Sequence, residues 1–398
     1  MAFPAAFFLA LAIGSSARPE EVPEPAPRLA RELSALRRRS ATVEPGTPPA
    51  RELARELARI GHEYLDLGET GRAVELLEEA YGWDEEDGLV LANLTLAYVR
   101  EENYPFARFY LELAEQRAAK APPAAYATLG DVYYALNRLD DAVLAWEQFE
   151  RLEGNDPPLL KRLAHARAEL SLSRGQRLLE DQGFSIYSDE AIAPEISGNV
   201  ADRLAESYRE QSRFFGTILE SSQVVVLYAG RAYFSLVSVP DWVGGVFDGK
   251  IRVSMDPGLG MTPDLERVLA HELGHALVRK ASSDRAPGWL HEGLAQWVEG
   301  KRLLPRDFRE VFSGGRKPSS LSEMEGSLGR KTERAAARAL YAEALGLVEY
   351  VVQFRGEGAV LCVLEAVARG DSIEEALRRE TGWTGAELVA AWTSWAGV

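Results

Sequence analysis

The sequence predicts two folded parts, an all-α stack of helix pairs followed by an α+β domain. One observation is a repeat: aromatic and small residues recur at steps of 34 and 35 residues between positions 51 and 157. The other is a change of composition after residue 180, where short β-branched and aromatic runs alternate with longer segments of helical period. A chain of 398 residues is long enough for two to three domains.

Composition excludes several classes of protein. Lys and Arg number 45 against 61 Asp and Glu, which gives a formal net charge of −16. Because phosphates and anionic lipid headgroups bind clustered positive side chains, this balance argues against nucleic acid or an anionic membrane surface as the main partner. The single cysteine, Cys362, excludes an intramolecular disulfide and a cysteine-based zinc finger. Its apolar neighbours predict a buried thiol.

The first 17 residues have the features of an export signal. Positions 3–14 are apolar, and small residues follow at 15–17, where a signal peptidase would cut. Such a run is too short to cross a bilayer, which takes about 20 residues. We therefore expect a signal peptide at 1–17, a periplasmic or secreted protein, and no membrane-spanning segment in the mature chain. An uncleaved anchor stays open as the alternative.

Residues 18–50 are rich in proline and predict a linker. They hold seven of the twenty prolines of the chain, a density that favours an extended spacer. A basic stretch at 28–39 interrupts this segment, and we expect it to form a short helix with a solvated face.

Three repeats of a helix–turn–helix unit follow the linker. Each repeat has a tyrosine, an alanine nine residues later, and Leu or Trp four residues after that: Tyr64, Tyr98 and Tyr133; Ala73, Ala107 and Ala142; Leu77, Leu111 and Trp146. Gly61 and Gly130 occupy a small position of the first helix. This pattern resembles the tetratricopeptide repeat. The resemblance implies an all-α solenoid at 51–175, closed by a capping helix at 159–172, whose concave face binds a protein partner. A stack whose charges only solvate its outer faces stays open.

The chemistry is concentrated in a HExxH motif, His271-Glu272-Leu273-Gly274-His275. Thr262-Pro263-Asp264 predicts the start of the helix that carries it, with a hydroxyl cap and proline in the first turn. Residues four apart share one face of a helix, so both imidazoles point at one spot and can bind one metal ion. Glu272 projects beside them.

A second element supplies a third ligand. Glu292 lies 17 residues after His275, far enough for one helix to end and another to begin. The string from Trp289 to Ala295 and the HExxH helix together resemble the gluzincin metallopeptidases, with a peptidase MA-like domain. The resemblance implies a zincin-like α+β domain at 180–398 with one Zn²⁺ per chain, bound by His271, His275 and Glu292. Glu272 is then the general base of a peptidase that acts on a peptide or protein substrate.

Other residues carry weaker predictions. Tyr341 matches a downstream tyrosine of the family and would stabilise the oxyanion, although its helical spacing fits a core aromatic equally well. His291 is a second oxyanion candidate, with a surface histidine as its alternative. Gln296, one turn after Glu292, stands where some relatives place an acid. The family also binds peptides along an edge strand, for which 250–255 is the predicted segment.

Three functions remain open on the sequence alone. The first is a zinc metallopeptidase, and the lack of a glycine-rich exopeptidase motif favours an endopeptidase. The second is a non-catalytic repeat scaffold whose peptidase-like domain binds zinc without turnover. The third is a zinc hydrolase of a non-peptide amide.

Overall fold

The computed structural model describes residues 26–101, 103–219, 222–238, 240, 242–312, 317–328 and 334–398. Within these ranges the protein has eighteen α-helices and one five-stranded sheet, so it is mostly helical. The described chain divides into two compact units, one that ends at Arg174 and one that spans Gly175–Val398. The predicted signal peptide at 1–17 and the first part of the predicted linker lie outside the described residues.

The first unit consists of helices that pack as consecutive pairs. The helices are α1 (Ala26–Ser40), α2 (Pro48–Asp66), α3 (Thr70–Trp83), α4 (Gly88–Arg100), α5 (Tyr104–Arg117), α6 (Pro123–Ala135), α7 (Leu139–Glu153) and α8 (Pro157–Leu172). The pairs are α2 with α3, α4 with α5, and α6 with α7; α2 and α6 both contact α4, and α8 packs on α7. One apolar cluster runs through all of them.

The predicted small positions are places where two helices touch. A Cβ on Gly130 would lie 2.2 Å from Nε1 of Trp146, and one on Gly61 would lie 2.7 Å from Cγ of Leu77. The Trp146 indole is held in place because it donates a hydrogen bond to the carbonyl of Ala127 at 3.1 Å. Only glycine therefore allows the two helices of these pairs to approach so closely.

Replacing Gly130 by alanine is expected to destabilise the first unit by about 1–3 kcal/mol, because the added methyl group must displace Trp146. Gly82 is the matched control, since it lies in α3 and a Cβ there would meet no atom within 4 Å. Urea unfolding of the full chain, followed by circular dichroism, should show a midpoint at a lower urea concentration than the wild type for Gly130→Ala. The midpoint of Gly82→Ala should not fall. Equal transitions for the two variants would contradict the packing argument.

Helix α1 lies within the segment 18–50, which was predicted to be a linker. Leu29, Leu33 and Leu36 recur at helical spacing, are at most 4% exposed, and belong to the same apolar cluster as α2. Arg39 also forms an ion pair with Glu56 of α2 at 3.0 Å. The segment Ala26–Ser40 is thus part of the first unit and not part of an extended spacer, because its leucines form an apolar face that must be buried.

The second unit combines a small mixed sheet with ten helices in its described residues. Its elements are β1 (Arg177–Asp181), β2 (Phe184–Ser188), α9 (Pro194–Phe215), β3 (Gln223–Ala229), α10 (Ala232–Leu236), β4 (Gly245–Phe247), β5 (Ile251–Met255), α11 (Pro263–Ala281), α12 (Gly288–Val298), α13 (Pro305–Val311), α14 (Leu321–Ser327), α15 (Arg334–Arg355), α16 (Glu357–Ala368), α17 (Ile373–Thr381) and α18 (Gly385–Ala396). The sheet order is β1-β2-β3-β5-β4, with β2, β3 and β5 parallel and both outer strands antiparallel.

The prediction that residues 250–255 form an edge strand is wrong. Strand β5 lies between β3 and β4, and the edge of the sheet on that side is β4. Val246 of β4 pairs with Arg252 of β5 in antiparallel register. The sequence does not indicate β4 because a strand of three residues that begins with glycine shows no alternating pattern.

The two faces of β5 have different surroundings. Ile251, Val253 and Met255 are buried in the apolar cluster that also contains the residues of α9 and α11. Arg252 points to the opposite face, is fully buried, and donates hydrogen bonds to Asp248 at 2.9 Å and to the hydroxyl of Tyr228 at 2.8 Å. The buried ion pair of Arg252 and Asp248 therefore links β5 to the turn that follows β4.

Cys362 is exposed on α16, so the prediction of a buried thiol is wrong. Val360, Val363 and Leu364 face the core, and the helical period turns Cys362 away from it.

No described helix has both the length and the continuous apolar character that crossing a bilayer requires.

Candidate metal centre

Helix α11 presents the HExxH motif in the interior of the second unit. Its first turn is fixed as predicted, since the hydroxyl of Thr262 accepts a hydrogen bond from the backbone N–H of Leu265 at 3.1 Å and Pro263 is the first helical residue. Every residue from Val268 to Val278 is buried. A helix buried over three turns is rigid, and the side chains on it are held in fixed positions.

The three predicted metal ligands come together. One ligand atom each from His271, His275 and Glu292 lie within 4.8 Å of one another. The two imidazole Nε2 atoms are 3.1 Å apart, and Oε2 of Glu292 lies 3.6 Å from that of His271 and 3.7 Å from that of His275. All three residues are at most 3% exposed.

This donor set fits a zinc ion. Zinc binds imidazole nitrogen and carboxylate oxygen at about 2.0–2.2 Å in tetrahedral geometry, which places ligand atoms about 3.3 Å apart. The observed separations of 3.1–3.7 Å are close to that value. Three protein ligands leave a fourth position open, as in catalytic zinc sites.

Close contact between α11 and α12 brings Glu292 to the histidines. A Cβ on Gly274 would lie 3.1 Å from Cα of Ala295 and 2.9 Å from Cγ2 of Val298. The glycine inside the HExxH motif therefore lets the second helix approach the first. This contact explains why a ligand 17 residues downstream reaches the site.

Glu272 is fully buried beside the ligands. Burial raises the pKa of its carboxyl to about 8; His271 opposes this rise, and Glu292, Glu299 and Asp248 add to it. Strand β4 passes directly alongside, because a Cβ on Gly245 would lie 2.7 Å from Oε1 of Glu272. The edge of the sheet and the proposed base thus form one wall of the site.

Glu299, which is not among the residues predicted from the sequence, also lies at this centre. Its Oε2 lies 3.0 Å from Nδ1 of His271, and its side chain is 3% exposed. Burial lowers the pKa of His271, but the negative charges of Glu299 and Glu292 outweigh it and raise the pKa to about 10. A signal was present: Glu299 follows Glu292 by seven residues, or two helical turns, and so lies on the same face.

Gln296 holds α12 against α15. It is fully buried, and its amide group donates to the carbonyl of Glu292 at 3.1 Å and to the carbonyl of Tyr341 at 2.9 Å. The ammonium of Lys301 donates to its Oε1 at 2.6 Å. Tyr341 is 2% exposed on α15, which packs on α12, so it lies next to the ligand helix. The role of its hydroxyl stays a prediction.

His291 lies beside the centre. Its ring centroid is 5.8 Å from that of His275, and the residue is only partly exposed. Burial lowers the pKa of His291 to about 4, with Arg279 contributing in the same direction and Asp284 opposing. The surface histidine considered as its alternative is therefore not what the structure shows.

Comparison with known families supports the assignment of this unit. Residues 218–397 match the Peptidase MA superfamily. This part of the chain is therefore similar to the domains of that superfamily. The match covers the four residues His271, Glu272, His275 and Glu292 as well as Glu299, and it does not extend to the helix pairs of the first unit. No curated protein matches the chain.

Proposed function

We propose that the protein is a zinc-dependent metallopeptidase of the gluzincin type, with His271, His275 and Glu292 as the metal ligands. The observation that carries this proposal is the convergence of three buried ligand atoms, with a buried carboxylate beside them, inside a peptidase MA-like domain. Endopeptidase activity is the preferred form, because the sequence lacks a glycine-rich exopeptidase motif.

The proposed mechanism uses Glu272 as the proton carrier. When bound, zinc supplies Lewis-acid activation of a water molecule and polarises the scissile carbonyl. A carboxylate oxygen of Glu272 accepts the proton of that water and later delivers it to the nitrogen of the leaving amine. Tyr341 is proposed to donate a hydrogen bond to the oxyanion.

Strand β4 is the proposed binding edge for the peptide. It is the outermost strand on its side of the sheet, and its Gly245 touches Glu272. A substrate that pairs with the main chain of β4 would have its scissile bond next to the base. The edge strand expected at 250–255 is thus replaced by its neighbour, three residues long.

We also propose that the helix pairs of the first unit are tetratricopeptide repeats that bind a protein partner, and that the protein is exported. The packing of glycines against Leu77 and Trp146 at the predicted positions supports the first proposal. The apolar run at 3–14 in the sequence supports the second.

The proposed function is tested with the full chain and a panel of quenched fluorescent peptides. We expect about one zinc per chain by elemental analysis. Peptide cleavage should stop after treatment with 1,10-phenanthroline and return when zinc is added. Bound zinc without cleavage of any peptide would favour the scaffold or the amide hydrolase, and a chain that binds no zinc would overturn the proposal.

A further inference from the structure

A metal-binding histidine must be held in one tautomer. An imidazole binds metal through the nitrogen that carries no proton, and the partner of the other nitrogen decides which one that is. In His271 the nitrogen that faces His275 and Glu292 is Nε2. A group that accepts a hydrogen bond from Nδ1–H would therefore keep His271 in the binding form.

Gln296 cannot serve this purpose. Its two amide protons are directed to the carbonyls of Glu292 and Tyr341, and its Oε1 accepts a hydrogen bond from Lys301. The residue one turn after the metal ligand therefore ties α12 to α15 and not to the imidazole.

Glu299, unlike Gln296, lies beside Nδ1 of His271. Its Oε2 is 3.0 Å from Nδ1 of His271, and both side chains are almost completely excluded from solvent. Glu299 comes directly after the last helical residue of α12, two turns beyond Glu292. The same helix that supplies the third ligand thus brings a second carboxylate to the far side of the first ligand.

We propose that Glu299 is the positioning residue of the metal centre, and that its carboxylate accepts a hydrogen bond from Nδ1–H of His271 and so leaves Nε2 as the metal-binding atom. This inference rests on the proposed zinc site. It assigns Gln296 the role of tying α12 to α15. The residue that orients the imidazole of His271 is then Glu299, three residues further along the chain.

Zinc affinity tests the inference directly. Competition with a chromophoric chelator should show that Glu299→Leu, which keeps the size of the side chain and removes the acceptor, binds zinc about 10- to 100-fold more weakly than the wild type. Glu349→Leu is the matched control: Glu349 is 7% exposed in the same unit, and its carboxylate accepts a hydrogen bond from the N–H of Leu303 at 2.9 Å instead of from a ligand imidazole. Glu349→Leu should bind zinc as the wild type does.

A second measurement needs no variant. The chain has five histidines, so a long-range ¹H–¹⁵N correlation spectrum of the zinc-loaded wild type is simple. We expect His271 to carry its proton on Nδ1. A proton on Nε2 would overturn the inference even if Glu299→Leu failed to fold.

The outcomes separate this inference from the proposed function. Wild-type affinity in Glu299→Leu overturns the positioning role and leaves the peptidase proposal intact. Weakened zinc binding in Glu299→Leu, with no peptide cleaved by the zinc-loaded wild type, supports the positioning role and overturns the peptidase proposal. A wild type that binds no zinc overturns both.

Discussion

Replacing Glu272 by glutamine is expected to lower kcat/KM for peptide cleavage by at least about 100-fold while zinc stays bound. General-base catalysis contributes about 10²–10⁴-fold, and an amide cannot accept the proton. Glutamine has the shape of glutamate, so the contacts of position 272 with Gly245 and the surrounding core should persist. The measurement is the rate of cleavage of a quenched peptide, together with zinc content.

The control for this prediction is Glu349→Gln, which replaces a buried carboxylate of the same unit by an amide that can still accept the hydrogen bond from the N–H of Leu303, and it should keep wild-type activity. If Glu272→Gln cleaves peptides at the wild-type rate, Glu272 is not the base. If instead it loses zinc, Glu272 takes part in holding the metal.

Replacing His271 by alanine is expected to remove the zinc. The substitution takes away one of three ligands and leaves Glu299 without the imidazole it contacts, so the zinc content should fall from about one per chain to near zero. A ligand that binds only the folded state raises its stability, by about 2.7 kcal/mol at 100 times the Kd. Added zinc should therefore raise the Tm of the metal-free wild type and leave that of His271→Ala unchanged.

His291→Ala serves as the comparison for zinc content. His291 is the nearest other histidine, with its ring 5.8 Å from that of His275, but it is not one of the three converging ligands. It should retain zinc. Equal zinc in His271→Ala and the wild type, or loss in His291→Ala, would contradict the ligand assignment.

The ligands could be predicted from sequence because their geometry is local. Residues 271 and 275 share a helical face whatever surrounds the helix, and Glu292 lies in the next helix along the chain. The close approach of α11 and α12 at Gly274 involves only two helices that follow each other in the chain. The position of Glu299 was harder, because its contact with His271 depends on how the end of α12 packs over the preceding helix.

The errors have a common physical cause. Strand β4 is defined by its pairing with β5 and not by a pattern of its own. For α1 the helix was predicted, but the surrounding prolines led to its assignment to a linker, although burial of the leucine face decides where the segment lies. An apolar run such as 360–364 does not show by itself which side chain faces outward, since that depends on the helical period.

The exposed thiol of α16 makes the protein suitable for site-specific labelling. Cys362 is the only cysteine in the sequence, so a maleimide dye would attach at one known position without any mutation. Helix α16 contacts α11, which carries His271 and His275, while the sulfur itself faces solvent. A fluorophore at this position would report on events in the histidine helix from outside the site, and the native chain could be studied in its unaltered sequence.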